Sequence, residues 1–440
     1  MKRAGAYSLQ QERRMKITLV CNTALPVIQE KFNLLKMKPE SWLVGHVDSL
    51  RRKGFSVTVC FPLPEGNAPI SDTVGDLRVE SYTADADMTE YNAASEADFV
   101  RIFKKTEADI IHVFGTEMPH TLAAVHAAEQ CGMLDRLVIS IQGMVSVIGE
   151  HHYYAGLPTW MHHAKTFRDF VRRDSISKQR ERFILRGHFE KAALQKAKHV
   201  IGRTDWDRAC VTQINPDIRY HFCNETLRGA FYRNAWKRED CIEHSIFVSQ
   251  SNYPVKGIHK MFEALAILKE KYPDVHLYTT GNDPRVHDGF KSRIRQDIYS
   301  KYLVDTMKKL GIDNHVTYLG YLDEEQMCAQ YINAHVFASP SSIENSPNSL
   351  GEAMLLGVPS VSSDVGGVKN LMVHGKEGFT YPFDETYMLA YYVDRLFSSD
   401  PLAATLSENA KRRAAETHDK ETNADKMLEI YRTIANEAGR

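Results

Sequence analysis

From Met15 onward the chain alternates short β-branched runs with longer amphipathic ones, and it does so in two successive series. In the first series KITLVC (16–21), FSVTVCF (55–61), ADIIHVFG (108–115), RLVISIQG (136–143) and KHVIGRT (198–204) read as strands. SWLVGHVDSLRRKG (41–54) and TLAAVHAAEQCG (121–132) read as helices between them, each stopped by a glycine. Residues 205–243 are polar and irregularly spaced, and the interdomain linker is expected at about 225–243. The second series has strands at 244–250, 275–281, 315–320, 335–340, 357–363 and 377–382, with helices at 257–272, 291–310 and 323–334. Two helical segments, about 384–398 and 402–436, close the chain. Strands alternating with helices require crossover connections and therefore parallel sheets. The expected fold class is α/β: two Rossmann-like, doubly wound domains facing each other across a cleft, where ligands of such sheets bind. The expected division is a mobile arm at 1–14, one domain at 15–225, a second at 244–415, and a C-terminal helix at 416–440 packing back toward the first.

Several function classes are disfavoured at once. A formal net charge of −1 gives no global attraction for nucleic acid. Seven scattered cysteines without a CxxC pair speak against a disulfide framework or a zinc ribbon. Neither a signal peptide nor an apolar run of membrane-spanning length is evident, so a cytoplasmic protein is expected. No GxGxxG follows the first strand, which weakens a dehydrogenase reading.

The most informative segment is SPSSIENSPNSLGEAMLLGVPSVSSDVGG (339–367). Ser346 suits an N-cap and Pro347 a first helical position, so a helix is expected from Pro347 to about Leu356, stopped by Gly357. The N–H groups of Asn348, Ser349 and Leu350 would then point out of a helix start that favours anions. Glu344 precedes this helix and Glu352 lies within it. The pair admits two readings: a surface acid beside a helix-dipole acid, or two ligands flanking one phosphate site.

Glu344 and Glu352, with seven residues between them and followed by AMLLGVPSVSSDVGG, resemble the E-x7-E region of retaining glycosyltransferases of family 4, which have the GT-B fold. Pro340, Ser341, Ala353, Met354, Gly357, Pro359, Gly366 and Gly367 match as well. The resemblance implies a nucleotide-sugar donor, with its diphosphate on Ser346, Asn348, Ser349 and Leu350, its ribose on Glu352, and its sugar held by Glu344. VSQSNYPVKGIHKMFEAL (248–265) is similar to the family's phosphate segment, with Lys256 and Gly257 in place, whereas Gln250, Ser251 and Asn252 occupy the region of the usual arginine. Arg203, after a first-domain strand, is the candidate replacement. A histidine of the family's first domain is matched by Gln142, a residue that makes contacts but carries no proton. Glu117 and His120 are further polar contacts on the acceptor side. The first loop, CNTALPVIQEKF (21–32), lacks the family's Gly-Gly.

Residues 165–198 hold eleven Lys or Arg against four acids, interleaved with Phe167, Phe170, Phe183 and Phe189. This stretch, including Arg172 and Arg173, is read either as a solvated helix face or as a dock for anionic lipid or a lipid-pyrophosphate acceptor. The adjacent histidines 151, 152, 162 and 163 lack a supporting acidic cluster, so no metal and no cofactor are expected. Resemblance is strongest to bacterial capsule and exopolysaccharide transferases, implying a lipid-linked glycan acceptor. Alternatives are a non-catalytic nucleotide-binding partner of the same fold and an enzyme acting on a small soluble acceptor.

Overall fold

The computed structural model describes residues 14–34, 41–285 and 296–439. The expected arm at 1–14 lies outside them, apart from Arg14, as do residues 291–295 of the expected helix 291–310. The first domain is built on β1 (Lys16–Val20), β2 (Ser56–Leu63), β3 (Ser71–Val74), β4 (Leu77–Thr83), β5 (Ile110–Phe114), β6 (Leu137–Ser140), β7 (His199–Gly202) and β8 (Arg219–Phe222). They form one sheet in the order β3-β4-β2-β1-β5-β6-β7-β8, parallel except for the β3–β4 pair. The second domain holds β9 (Ile242–Val248), β10 (His276–Thr279), β11 (Val316–Tyr318), β12 (Ala334–Ser339), β13 (Ser360–Ser363) and β14 (Phe379–Tyr381). Their order is β11-β10-β9-β12-β13-β14 and every pair is parallel. Each sheet is apolar on both faces because helices cover both.

The stretch 205–243 is more regular than its composition suggests. Thr204 and Asp207 form a reciprocal capping box that starts the helix Asp205–Ile214, and β8 follows as an edge strand. At four residues, RYHF, with none fully buried, β8 is too short for its alternation to stand out from its polar surroundings. The last helical segment is likewise two helices, Asp400–Thr417 and Lys420–Glu437, because Asp419 caps a new start.

Two segments tie the domains together. Leu428, Ile430, Tyr431 and Ile434 of the last helix join the first domain's core beside Val47 and Ile110. In the opposite direction Tyr153, Leu157, Met161 and Ile176 pack into the second domain's core with Ile258 and Phe262. Polar contacts secure this strap: His259 Nε2 pairs with the Ala155 carbonyl at 2.8 Å, and the Ile298 N–H donates to Asp169 at 2.9 Å. Among the described residues no helix is long and apolar enough to cross a membrane.

Candidate functional site

Each sheet has one place where its strand order reverses. In the second domain the chain runs from β9 outward to β10 and β11, then returns to lay β12 on the other side of β9. Connections leave β9 and β12 in opposite directions, so a crevice opens at their carboxyl ends. Lys256 follows β9 and Glu344 follows β12. Lys256 Nζ donates to Glu344 Oε1 at 2.7 Å, and Ser341 Oγ donates to the same oxygen at 2.6 Å. Burial works against the Lys256 charge, but the Glu344 carboxylate more than offsets it and raises the ammonium above its ordinary value.

Glycines allow this pair to form. Lys256 ends a short 3₁₀ turn, and Gly257 follows with φ 68°. A Cβ on Gly257 would lie 1.8 Å from the Pro340 carbonyl, so a side chain there would push the lysine turn off β12. Opposite it, the Gly367 N–H donates to the Glu344 carbonyl at 3.0 Å, and a Cβ on Gly367 would meet the Asn345 carbonyl at 2.0 Å. The Glu344 loop is thus pinned on both sides by backbone.

The helix beside it spans Asn348–Leu356, and Pro347 rather than Ser346 is its cap residue, with no side-chain cap. The residue before a proline is steered out of the helical region, and the Pro347 carbonyl accepts the N–H groups of Leu350 (3.0 Å) and Gly351 (3.1 Å). Leu350 therefore has no N–H to offer an anion, whereas Asn348 and Ser349 make no backbone N–H bond among the described residues. Ser346 is buried before the helix.

Glu352 is 4 % exposed, and both its oxygens are taken by Arg228, which donates from Nε (2.6 Å) and Nη2 (2.7 Å). Burial pushes the Glu352 carboxyl up, and the forked Arg228 contact acts against that push. Replacing Glu352 with alanine is expected to cost about 3–5 kcal/mol of stability by leaving Arg228 unpaired, which denaturant unfolding would measure. A loss below about 1 kcal/mol would contradict that role.

In the first domain the strand order reverses between β1 and β5. Gly115, Thr116 and Glu117 leave β5 at that point. The buried Glu190 fixes this loop and the next: it accepts from Thr116 Oγ1 (2.7 Å) and from the N–H groups of Val145 (3.1 Å) and Ser146 (3.0 Å). Burial raises Glu190 to about 7 against those hydrogen bonds. A hollow of about 290 Å³ joins the two reversal points, lined by Glu117, Gln142, Arg186, Lys256, Glu344 and Asn345. A second, of about 430 Å³, opens over the ends of β9, β10 and β11 around Gln250, Asn252 and Tyr318. Between them lies a narrow neck lined by Ser249, Gln250, Lys256, Glu344 and Ser349. Burial raises the half-buried Glu117 carboxyl above its usual range.

The other expected residues are distributed differently. Arg203 is bound through Nη1 to Glu225 at 2.6 Å and lies within reach of Gln142 Oε1 at 3.4 Å. It lines a separate cavity of about 690 Å³ beside Glu225 and Asn423. Gln142 and Asn348 both donate to Glu225, at 2.6 and 3.1 Å, so this linker carboxylate connects the first domain to the start of the helix Asn348–Leu356. His120 is buried near Asp85, whose Oδ2 is 3.7 Å from Nδ1, and is not on the hollow. Arg172 and Arg173 are on the outer surface of the strap. The residue the sequence did not single out is Arg186. Its Nε donates to the Glu117 carbonyl at 2.7 Å, and its guanidinium, lowered by burial, lines the hollow with Lys256. Among eleven basic residues in one stretch, nothing in the sequence marked this one as inward-facing. Among the described residues no group of three or more His, Cys, Asp or Glu is placed to hold a metal ion.

Residues 242–413, which contain Lys256, Glu344 and Glu352, match the family model of glycosyl transferases group 1. That match covers the second domain and leaves the first outside it. A D-inositol 3-phosphate glycosyltransferase of Corynebacterium urealyticum is 27 % identical over 180 residues, 41 % of each chain. The chain thus spans under half the length of the curated relatives it matches. Solved structures align along nearly all of it. Sucrose-phosphate synthase from Thermosynechococcus elongatus superposes with a TM-score of 0.66 at 17 % identity, covering 96 % of this chain and 99 % of that one. HepE of Anabaena, solved with UDP-glucose, gives 0.63 at 18 % identity, covering 96 % and 100 %. The fold that the chain shares with these structures is GT-B.

Proposed function

We propose that the protein is a retaining glycosyltransferase that moves a sugar from a nucleoside diphosphate to a glycan acceptor. The observation that carries this reading is the Lys256–Glu344 pair at the reversal point of the second sheet, facing Glu117 and Arg186 across one hollow. The donor's base is assigned to the 430 Å³ hollow and its diphosphate to the mouth of the neck, where Lys256 and the Ser349 N–H meet it. Its sugar enters the 290 Å³ hollow beside Glu344. Charge on the leaving diphosphate grows as the glycosidic bond breaks, and fixed cations in a site shielded from water stabilise that charge most. Arg186, on the wall of the sugar hollow with Lys256, is the second cation beside the breaking bond, a charge that Gln250, Ser251 and Asn252 do not supply. The acceptor hydroxyl attacks from the face the diphosphate leaves and passes its proton to the departing diphosphate oxygen, with Glu117 on the acceptor side, so the anomeric configuration is kept. With these cations on the phosphates, the reaction requires no metal or cofactor. HepE, solved with UDP-glucose, favours a UDP-sugar donor. The resemblance to capsule transferases favours a lipid-linked oligosaccharide acceptor reached at the inner face of a membrane.

Thermal shift with UDP-, GDP- and ADP-sugars tests the donor, because a ligand of the folded state raises stability. At a hundredfold excess over Kd the gain is about 2.7 kcal/mol. No shift with any of them would reject the reading. Arg186→Ala is expected to lower transfer by roughly tenfold to a hundredfold, read from initial rates at saturating donor. An unchanged rate would remove Arg186 from the phosphate grip. The reading as a non-catalytic nucleotide-binding partner keeps one observation, the missing phosphate-segment arginine. It requires nucleotide binding without turnover.

A further inference from the structure

The basic stretch 165–198 divides into two parts of different character. On the helix Ile176–Lys196 and just after it the charges are largely paired: Lys178 with Glu181, Arg182 with Asp174, Lys191 with Glu150, Lys196 with Glu129, and Lys198 with Asp135. Arg186 faces the hollow. On the strap before it, Lys165, Arg172 and Arg173 are exposed and have no carboxylate within 4 Å among the described residues. They flank exposed apolar groups. Phe167, Phe170 and Val171 are 69, 72 and 62 % exposed, and Trp160 on the preceding turn is 60 % exposed. The three residues of the helix Phe167–Arg172 lie at i, i+3 and i+4, so they form one stripe.

This exposure is built in rather than frayed. Thr166 and Asp169 form a reciprocal capping box, and Asp169 is buried and bonded to the second domain's Ile298. Met161, next to Trp160 in sequence, is fully buried in the second domain's core. The outer face is therefore held out by a strap fastened to both domains. Large apolar side chains kept in water at a fixed surface mark an interaction site. Aromatic groups ringed by unpaired cations complement an apolar layer beneath anionic headgroups. We infer that the strap 158–173 docks on an anionic lipid bilayer, with Phe167, Phe170 and Trp160 entering the headgroup boundary. The assignment stands apart from the donor reading, since none of these residues lines the hollows.

The test is sedimentation of the full chain with vesicles of phosphatidylcholine alone and of phosphatidylcholine mixed with phosphatidylglycerol. Binding to the mixed vesicles is expected, weakening as salt rises. Phe167→Ser with Phe170→Ser is expected to weaken it by roughly tenfold or more. Melting temperature and nucleotide release from soluble donor should stay unchanged in that variant. Equal binding by the double variant would overturn the inference. So would equal binding to neutral vesicles, binding to neither kind, or a phenylalanine-dependent dimer in the absence of lipid. Nucleotide release is read separately, so failure of the donor reading leaves this outcome distinguishable.

Discussion

Lys256→Ala is expected to lower the turnover of sugar transfer by roughly 10²–10³-fold, the range seen when one preorganised group facing developing charge is removed. The reason is position. Lys256 stands where β9 ends, on a turn that Gly257 lets press against Pro340, so its ammonium faces the neck with little freedom to reorganise. It is already charged, since Glu344 keeps it so despite burial. Donor binding should weaken less than turnover falls, because ground-state phosphate carries less concentrated charge at the breaking bond than the departing diphosphate does. Lys256→Arg retains the charge, but its wider fork must fit between Glu344 and Ser341, so partial rescue is expected. Initial rates of nucleotide release across donor concentrations check both. Turnover within about threefold of the unaltered enzyme would remove Lys256 from the chemistry.

Glu344→Ala is expected to abolish transfer while nucleotide affinity is kept or rises. Ser341, Lys256 and the Gly367 N–H hold the Glu344 loop in place, so the carboxylate meets a sugar at a fixed point. Removing it takes away the only hydrogen-bonding partner of the Lys256 ammonium among the described residues and leaves that cation facing the phosphates. A nucleoside diphosphate then binds a more exposed positive charge. Calorimetric titration with nucleotide, beside rates of transfer, separates the two effects. Full activity in the variant would end the assignment of Glu344 to the reacting sugar. Parallel loss of affinity and rate would recast it as a nucleotide ligand.

Much of the architecture was legible because buried parallel strands are written as apolar runs and their helices as periodic ones. The Glu344–Glu352 segment was legible because its glycines, proline and acids sit at fixed spacing. What escaped detection has physical reasons. β8 is a four-residue edge strand in which no side chain is fully buried. The break at Asp419 depends on one cap inside a long helical composition. Pro347 starts its helix one residue later than a serine cap suggests, because the extended backbone before a proline shifts the first carbonyl acceptor. Arg186 is distinguished from its neighbours solely by the side of its helix that meets the hollow. Conversely, Arg203 and Gln142 sit at strand ends as their positions imply, yet Glu225 from the linker engages both. A pairing across more than eighty residues in sequence cannot be read from local pattern.

The Lys256–Glu344 crevice is expected to cleave a nucleotide-sugar. The most direct measurement is nucleotide release by the purified chain from UDP-, GDP- and ADP-sugars, with Lys256→Ala and Glu344→Ala run in parallel. The expected result is release from at least one donor, lost in both variants. Nucleotide bound without release from any donor, or release that survives both substitutions, would contradict it.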